Sequence, residues 1–117
     1  MSAAARPLHE RQCSHAVAAL GDGEIARLLP LLDGWLVHHA KLCKSFGFDD
    51  YYATIAFVNA LAYVAHAQDH HPALLVTFKN CTVSFDTHSV GGISENDFIC
   101  AAKADALYAQ HAAGAAQ

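Results

Sequence analysis

Apolar residues recur at helical spacing in some stretches of the chain and at alternate positions in others, and this pattern predicts the order of elements. Ile25, Leu28, Leu29 and Leu32 share one helical face behind Asp22, a residue type suited to capping, and Asp33-Gly34 stops the run. Pro30 within it marks a late break. Short apolar and polar alternation from Trp35 to Phe48, around His38-His39-Ala40, predicts a two-stranded hairpin. Asp49 then caps the longest helix, expected over about residues 50 to 68, with Tyr52, Ile55, Asn59, Ala62, Tyr63 and His66 following at helical spacing on a core-type face. Pro72 ends that helix by disfavouring helical geometry in the residue before it.

Leu74, Val76 and Phe78 alternate with Leu75 and Thr77, which predicts a strand. After a tight turn at Lys79-Asn80 a second strand follows, with Cys81, Val83, Phe85 and Thr87 in its apolar phase and Thr82, Ser84, Asp86 and His88 in its polar phase. Gly91-Gly92 predicts a loop. Ser94-x-x-Asp97 fits a capping box that opens a last helix through Phe98, Ala101, Ala102 and Ala106. The predicted order is α-β-β-α-β-β-α, an α+β fold with a four-stranded antiparallel sheet and its helices packed on one face. Residues 1–21 read as an N-terminal extension, with Pro7 as a helix opener and a weakly amphipathic run over residues 8–20, and residues 22–117 as the domain proper.

Composition narrows the class. The chain has 117 residues, 54% of them hydrophobic and 15% charged, which fits one folded globular domain. A domain of this size buries a modest share of its surface, so assembly into an oligomer is expected. Seven basic against eleven acidic residues give a net charge of −4 with no basic stripe, which argues against nucleic acid as a direct ligand. No apolar run approaches the ~20 residues of a membrane span, so a soluble, cytoplasmic chain is expected. Cys13, Cys43, Cys81 and Cys100 are far apart in sequence, with no C-x-x-C pair and no secretory leader, and read as reduced thiols. Cys81 and Cys100 are expected to behave as small buried hydrophobes, and Trp35, Phe46, Tyr52 and Tyr63 as core.

Nine histidines are many for this length. His38 and His39 fall at a turn. The others of interest form a spaced set: His66-x-x-x-His70-His71-Pro72 at a helix exit, then Thr87-His88, then Asp97. The hairpin between them returns the chain to its start, so His88 is expected to face His70 and His71. Imidazoles around one pocket suit acid–base chemistry, because a group with a pKa near the working pH can both give and take a proton. Asp69, adjacent to His70, is the candidate for orienting a ring or raising its basicity. Asp97 is accounted for by its capping box. No G-x-S-x-G and no activated cysteine points to covalent catalysis. His66 and His70 have the i, i+4 spacing of a zinc pair, with His71, His88 or Asp69 to complete it, but adjacent imidazoles at a helix exit diverge, and no metal is expected.

These residues resemble the pterin-4a-carbinolamine dehydratase family. The resemblance rests on His66, His70-His71-Pro72, Phe78, Thr87-His88, Gly92-Ile93-Ser94 and Asp97. A softer upstream match runs through Gly34-Trp35, Phe46, Phe48, Tyr51-Tyr52, Ala56-Phe57-Val58 and Val64-Ala65, so that it covers roughly residues 22 to 107. It implies a cofactor-free lyase acting on 4a-hydroxytetrahydrobiopterin and yielding the quinonoid dihydropterin. Carried over by position, His70, His71 and His88 are the catalytic candidates, with His70 and His88 as the proton-transfer pair and His71 as a binding or assisting group. His66, Asp69, Thr87 and Asp97 are the substrate-binding or orienting candidates; His66 stands where many relatives carry Glu. The resemblance also implies a homodimer or homotetramer. Animal members of the family also serve as dimerisation partners of a transcription factor, so the alternative reading is a non-catalytic co-regulator on the same fold, and behind it stands a histidine-ligated metal hydrolase.

Overall fold

The structure, a computed structural model, describes residues 6–115, with side chains through Gln110. Its helices are α1 (Asp22–Leu28), α2 (Tyr51–Gln68) and α3 (Glu95–Ala115), and its strands are β1 (Leu36–His38), β2 (Lys41–Gly47), β3 (Ala73–Thr77) and β4 (Asn80–Phe85). The sheet runs β1-β2-β4-β3 with every neighbouring pair antiparallel. This is the α-β-β-α-β-β-α order expected from the residue pattern.

One face of the sheet carries the core. Leu42 and Phe46 of β2 and Cys81, Val83 and Phe85 of β4 are buried, and α2 and α3 meet them with Phe57, Leu61, Phe98 and Ala101. Trp35 lies edge-on to Phe46 at 6.0 Å, and its indole N–H donates to Asp105 at 3.0 Å. The large buried aromatic thus finds a partner for its one polar group. On the opposite face Ser45 and Thr82 pair through their hydroxyls at 2.7 Å, and Leu36 and Leu75 are exposed.

Several local expectations shift. Gly21, not Asp22, precedes α1, and its backbone N–H is capped by the Glu24 carboxylate at 3.2 Å. Pro30 falls in a 3-10 turn that follows α1. The cap of α2 is Asp50, whose side chain accepts from the Ala53 N–H at 2.7 Å, so the cap lies one residue later than Asp49. The buried stripe of α2 is Thr54, Phe57, Leu61 and Ala65, whereas Tyr52 and Tyr63 are 86% and 74% exposed and His66 is exposed. The helix is apolar around most of its circumference, so spacing alone does not single out the face that packs.

The β3–β4 turn is Phe78-Lys79, one residue earlier than expected. The cause is capture of its carbonyls: Thr54 Oγ1 donates to Phe78 O and the Phe48 N–H to Lys79 O at 2.9 Å. Phe78 is consequently exposed.

The β1–β2 hairpin closes on two residues, His39 and Ala40, with φ of 52° and 61°. Positive φ at both central positions is the type I′ requirement, which favours Asn and Gly, and neither is present. A left-handed Cβ costs ~1–2 kcal/mol, partly offset by the greater unfolded-state freedom of glycine. Ala40→Gly is therefore expected to raise unfolding free energy by about 0.5–1 kcal/mol, read as a higher urea midpoint. An unchanged or lower midpoint would count against a strained turn.

The N-terminal segment forms only a 3-10 turn at Leu8–Glu10, not a helix over residues 8–20. It lies along α3, with Leu8 in the core. Cys13 N–H donates to Gln68 Oε1 at 2.8 Å, Ser14 exchanges hydrogen bonds with the Asn96 amide, and Leu20 N–H donates to Ile93 O at 2.8 Å. These backbone groups find partners on α2, on α3 and just before α3, so the segment has little need of its own helical bonds.

Candidate active site

Three chain segments converge at one end of the sheet: the exit of α2, the exit of β4 and the entrance of α3. The α2 exit is a Schellman stop. Asp69 takes the left-handed conformation (φ 51°), its N–H reaches His66 O, and the His70 N–H reaches Ala65 O. These are the 5→2 and 6→1 bonds of that motif, so the helix ends by its own closing bonds ahead of Pro72. They also fix the backbone from which the His70 side chain departs.

The His70 ring lies nearly parallel to Phe85, with 6.0 Å between centroids and 8° between planes. Its Nε2 stands 2.6 Å from Asp97 Oδ1, and the two side chains are 10% and 0% exposed. An ionised carboxylate can only accept, so Nε2 carries hydrogen and Nδ1 becomes the nitrogen through which His70 exchanges protons. The other Asp97 oxygen accepts from Thr87 Oγ1 and from the Ser94 backbone N–H, each at 2.8 Å. Since Thr87 donates there, Ser94 Oγ donates to Thr87 at 2.6 Å, and it also accepts from the Asn96 N–H. Among the described residues no buried side-chain nitrogen or oxygen lacks a partner.

Asp97 therefore does what a capping box does and also holds His70. The sequence pattern accounts for one carboxylate oxygen; the second is free for a residue 27 positions away. Asp69, the candidate from adjacency, does not orient His70: the left-handed turn carries its side chain outward, where it meets His15 at 3.6 Å. Phe85 and Ser94 are the other members that histidine spacing alone does not reveal.

His71 and His66 are exposed. His88 is exposed too, and opens a 3-10 turn after β4 has ended at Phe85, so it lies beyond the strand. Its loop is closed at the base by the Thr87–Gly92 bridge, with Gly91 at φ 66°. Thr87 thus links the His88 loop to Asp97. Among the described residues no group of three or more His, Cys, Asp or Glu is arranged to hold a metal ion, and no helix is long and apolar enough to cross a membrane.

The Asp97 hydrogen bond raises the His70 pKa above its ordinary value, and burial opposes it with a smaller effect. Because the folded-state pKa lies above the unfolded one, the pair's stabilisation is complete below about pH 6.5 and is lost as pH rises through the folded value. A proton NMR titration is expected to place the His70 ring above the ordinary histidine value. A His70 titration at or below that value would refute the pairing.

The signature surrounding these residues decides the family. Residues 18–107 match the model of the pterin 4 alpha carbinolamine dehydratase family. The chain belongs to that family. A Bdellovibrio bacteriovorus protein is 56% identical over 102 residues, spanning 83% of this chain and 85% of that protein, and one from Nitrosospira multiformis is 47% identical over 98 residues, spanning 84% and 87%. Both carry the name of pterin-4-alpha-carbinolamine dehydratase as a provisional one. A crystal structure of a transcriptional coactivator/pterin dehydratase from Brucella melitensis superposes with a TM-score of 0.74 at 30% identity, covering 77% of this chain and 98% of its own. A pterin dehydratase-like protein identified as a RuBisCO assembly factor in the alpha-carboxysome gives 0.57 at 28% identity, covering 65% and 90%.

Proposed function

We propose that the chain is a hydro-lyase that dehydrates 4a-hydroxytetrahydrobiopterin to quinonoid dihydrobiopterin by histidine acid–base catalysis, in tetrahydrobiopterin recycling. The observation that carries this reading is the buried Asp97–His70 pair inside the stretch that matches the dehydratase family. The reaction needs a proton delivered to the departing 4a-hydroxyl and another removed from the neighbouring ring nitrogen, with water as the product. A histidine whose charged form is favoured suits the first step, so His70 is the donor through Nδ1. His88 is the acceptor, His71 assists binding, and Thr87 and Asp97 orient. His66, exposed one helical turn before His70, is a further substrate-binding candidate.

The reading includes a cytoplasmic homo-oligomer, supported by the exposed Tyr52 and Tyr63 on α2. The test is a stopped-flow assay of dehydration of a chemically generated 4a-carbinolamine. Acceleration well above buffer is expected. A rate equal to buffer, together with a stable complex with another protein, would favour the alternative, a non-catalytic co-regulator on the same fold, which draws on the coactivator and assembly roles of the two structural relatives.

A further inference from the structure

Cys13 and Cys100 are 87 positions apart in the chain, yet their sulfurs lie 3.5 Å from each other. Neither residue belongs to the site described above. Cys100 is buried on α3, one helical turn beyond Asp97, and Cys13 is half-buried on the N-terminal segment that crosses this helix. Flanking hydrogen bonds, from Cys13 N–H to Gln68 and between Ser14 and Asn96, hold the crossing in place. An encounter between two thiols is thus a fixed feature of the packing.

We propose that Cys13 and Cys100 are a redox-modification site, a dithiol that a peroxide converts to a disulfide locking the N-terminal segment onto α3. The sulfurs need to close from 3.5 Å to the ~2.05 Å of an S–S bond, and the extended segment, unlike the helix, can supply the movement. The two thiols have unequal roles. The hydrogen bond from Cys100 lowers the Cys13 pKa, against burial, with help from the nearby positive charge of His70 and Lys103. The same bond and burial raise that of Cys100. Cys13 is therefore the attacking thiolate and Cys100 the resolving thiol.

The chemistry balances. The Cys13 thiolate attacks one peroxide oxygen and breaks the O–O bond, giving a sulfenic acid and hydroxide, which takes a proton to become water. Cys100 then attacks the sulfenic sulfur; the S–O bond breaks, and the departing hydroxyl leaves as water with the Cys100 proton. Forming the sulfenic acid also removes the Cys13 charge that held the Cys100 proton in place. In sum, two thiols and hydrogen peroxide give one disulfide and two waters. A dithiol reductant reverses the change by exchange.

The test uses the full chain, reduced and then treated with equimolar hydrogen peroxide. Intact mass is expected to fall by two hydrogen atoms, thiol titration in denaturant to fall from four thiols to two, and non-reducing peptide maps to join Cys13 to Cys100. Dithiothreitol should restore all four thiols, Cys13→Ser should abolish the link, and Cys43→Ser should leave it intact. Stable oxygen addition at Cys13 without a link, a link through Cys43, or a link between two chains would each overturn the proposal. None of these readouts depends on dehydratase activity.

Discussion

Replacing His70 with alanine is expected to lower the turnover of carbinolamine dehydration by about 10²- to 10⁴-fold, the span attributable to one positioned general acid or base. The loss should fall on kcat more than on KM, because the proton is transferred at the departing hydroxyl and binds nothing in the ground state. His88→Ala should behave alike as the partner in proton transfer, and His71→Ala should mainly raise KM. Because His70 is packed against Phe85 and Asp97, each variant needs a denaturation curve beside its kinetics. A folded His70→Ala protein with near wild-type kcat would remove His70 from the mechanism.

Asp97→Ala should be among the most damaging substitutions to stability in the site, at about 3–5 kcal/mol, the cost of breaking a buried charge pair. That is a large part of the ~5–15 kcal/mol by which such domains stay folded. One carboxylate, wholly buried, accepts from Thr87, from the Ser94 backbone and from His70, and alanine strands all three. Asp97→Asn separates structure from chemistry. Its carbonyl can still accept from Thr87 and Ser94, while its amide turns a donor toward His70 and reverses the polarity of that bond. The His70 titration, and the limb of the pH–rate profile that follows it, should then move to lower pH. An unmoved profile in a folded Asp97→Asn protein would reduce Asp97 to a cap.

The alternation of Cys81, Val83 and Phe85 with Thr82 and Ser84 was sufficient to predict β4 and its buried side, because period-two burial survives any error at the strand ends. Turns and caps shifted by a residue where side chains elsewhere captured the backbone, as Thr54 does at Phe78. The packing face of α2 was not legible: Tyr52 and Tyr63 present large aromatic rings much as Phe57 does, and only the sheet beneath decides which side chains are buried. The site divides in the same way. His70 and its helix exit stand out in the text, but its carboxylate does not, since Asp69 is adjacent and Asp97 distant. A left-handed turn, invisible to spacing, sends Asp69 away. The Cys13–Cys100 encounter was illegible for a related reason: it depends on where a segment that does not form the helix its weak amphipathic pattern allows crosses α3.

The reliance of His70 on a carboxylate in the first turn of α3 also sets how the site would fail under stress. Helix ends open locally at a lower free-energy cost than the sheet they pack on. A brief opening of residues 94–97 would release the carboxylate and return the imidazole to ordinary basicity while β2 and β4 stay paired. Heat or mild denaturant should therefore silence the chemistry before the fold melts, and amide hydrogen exchange at Asn96 and Asp97 should track the loss more closely than exchange at Val83.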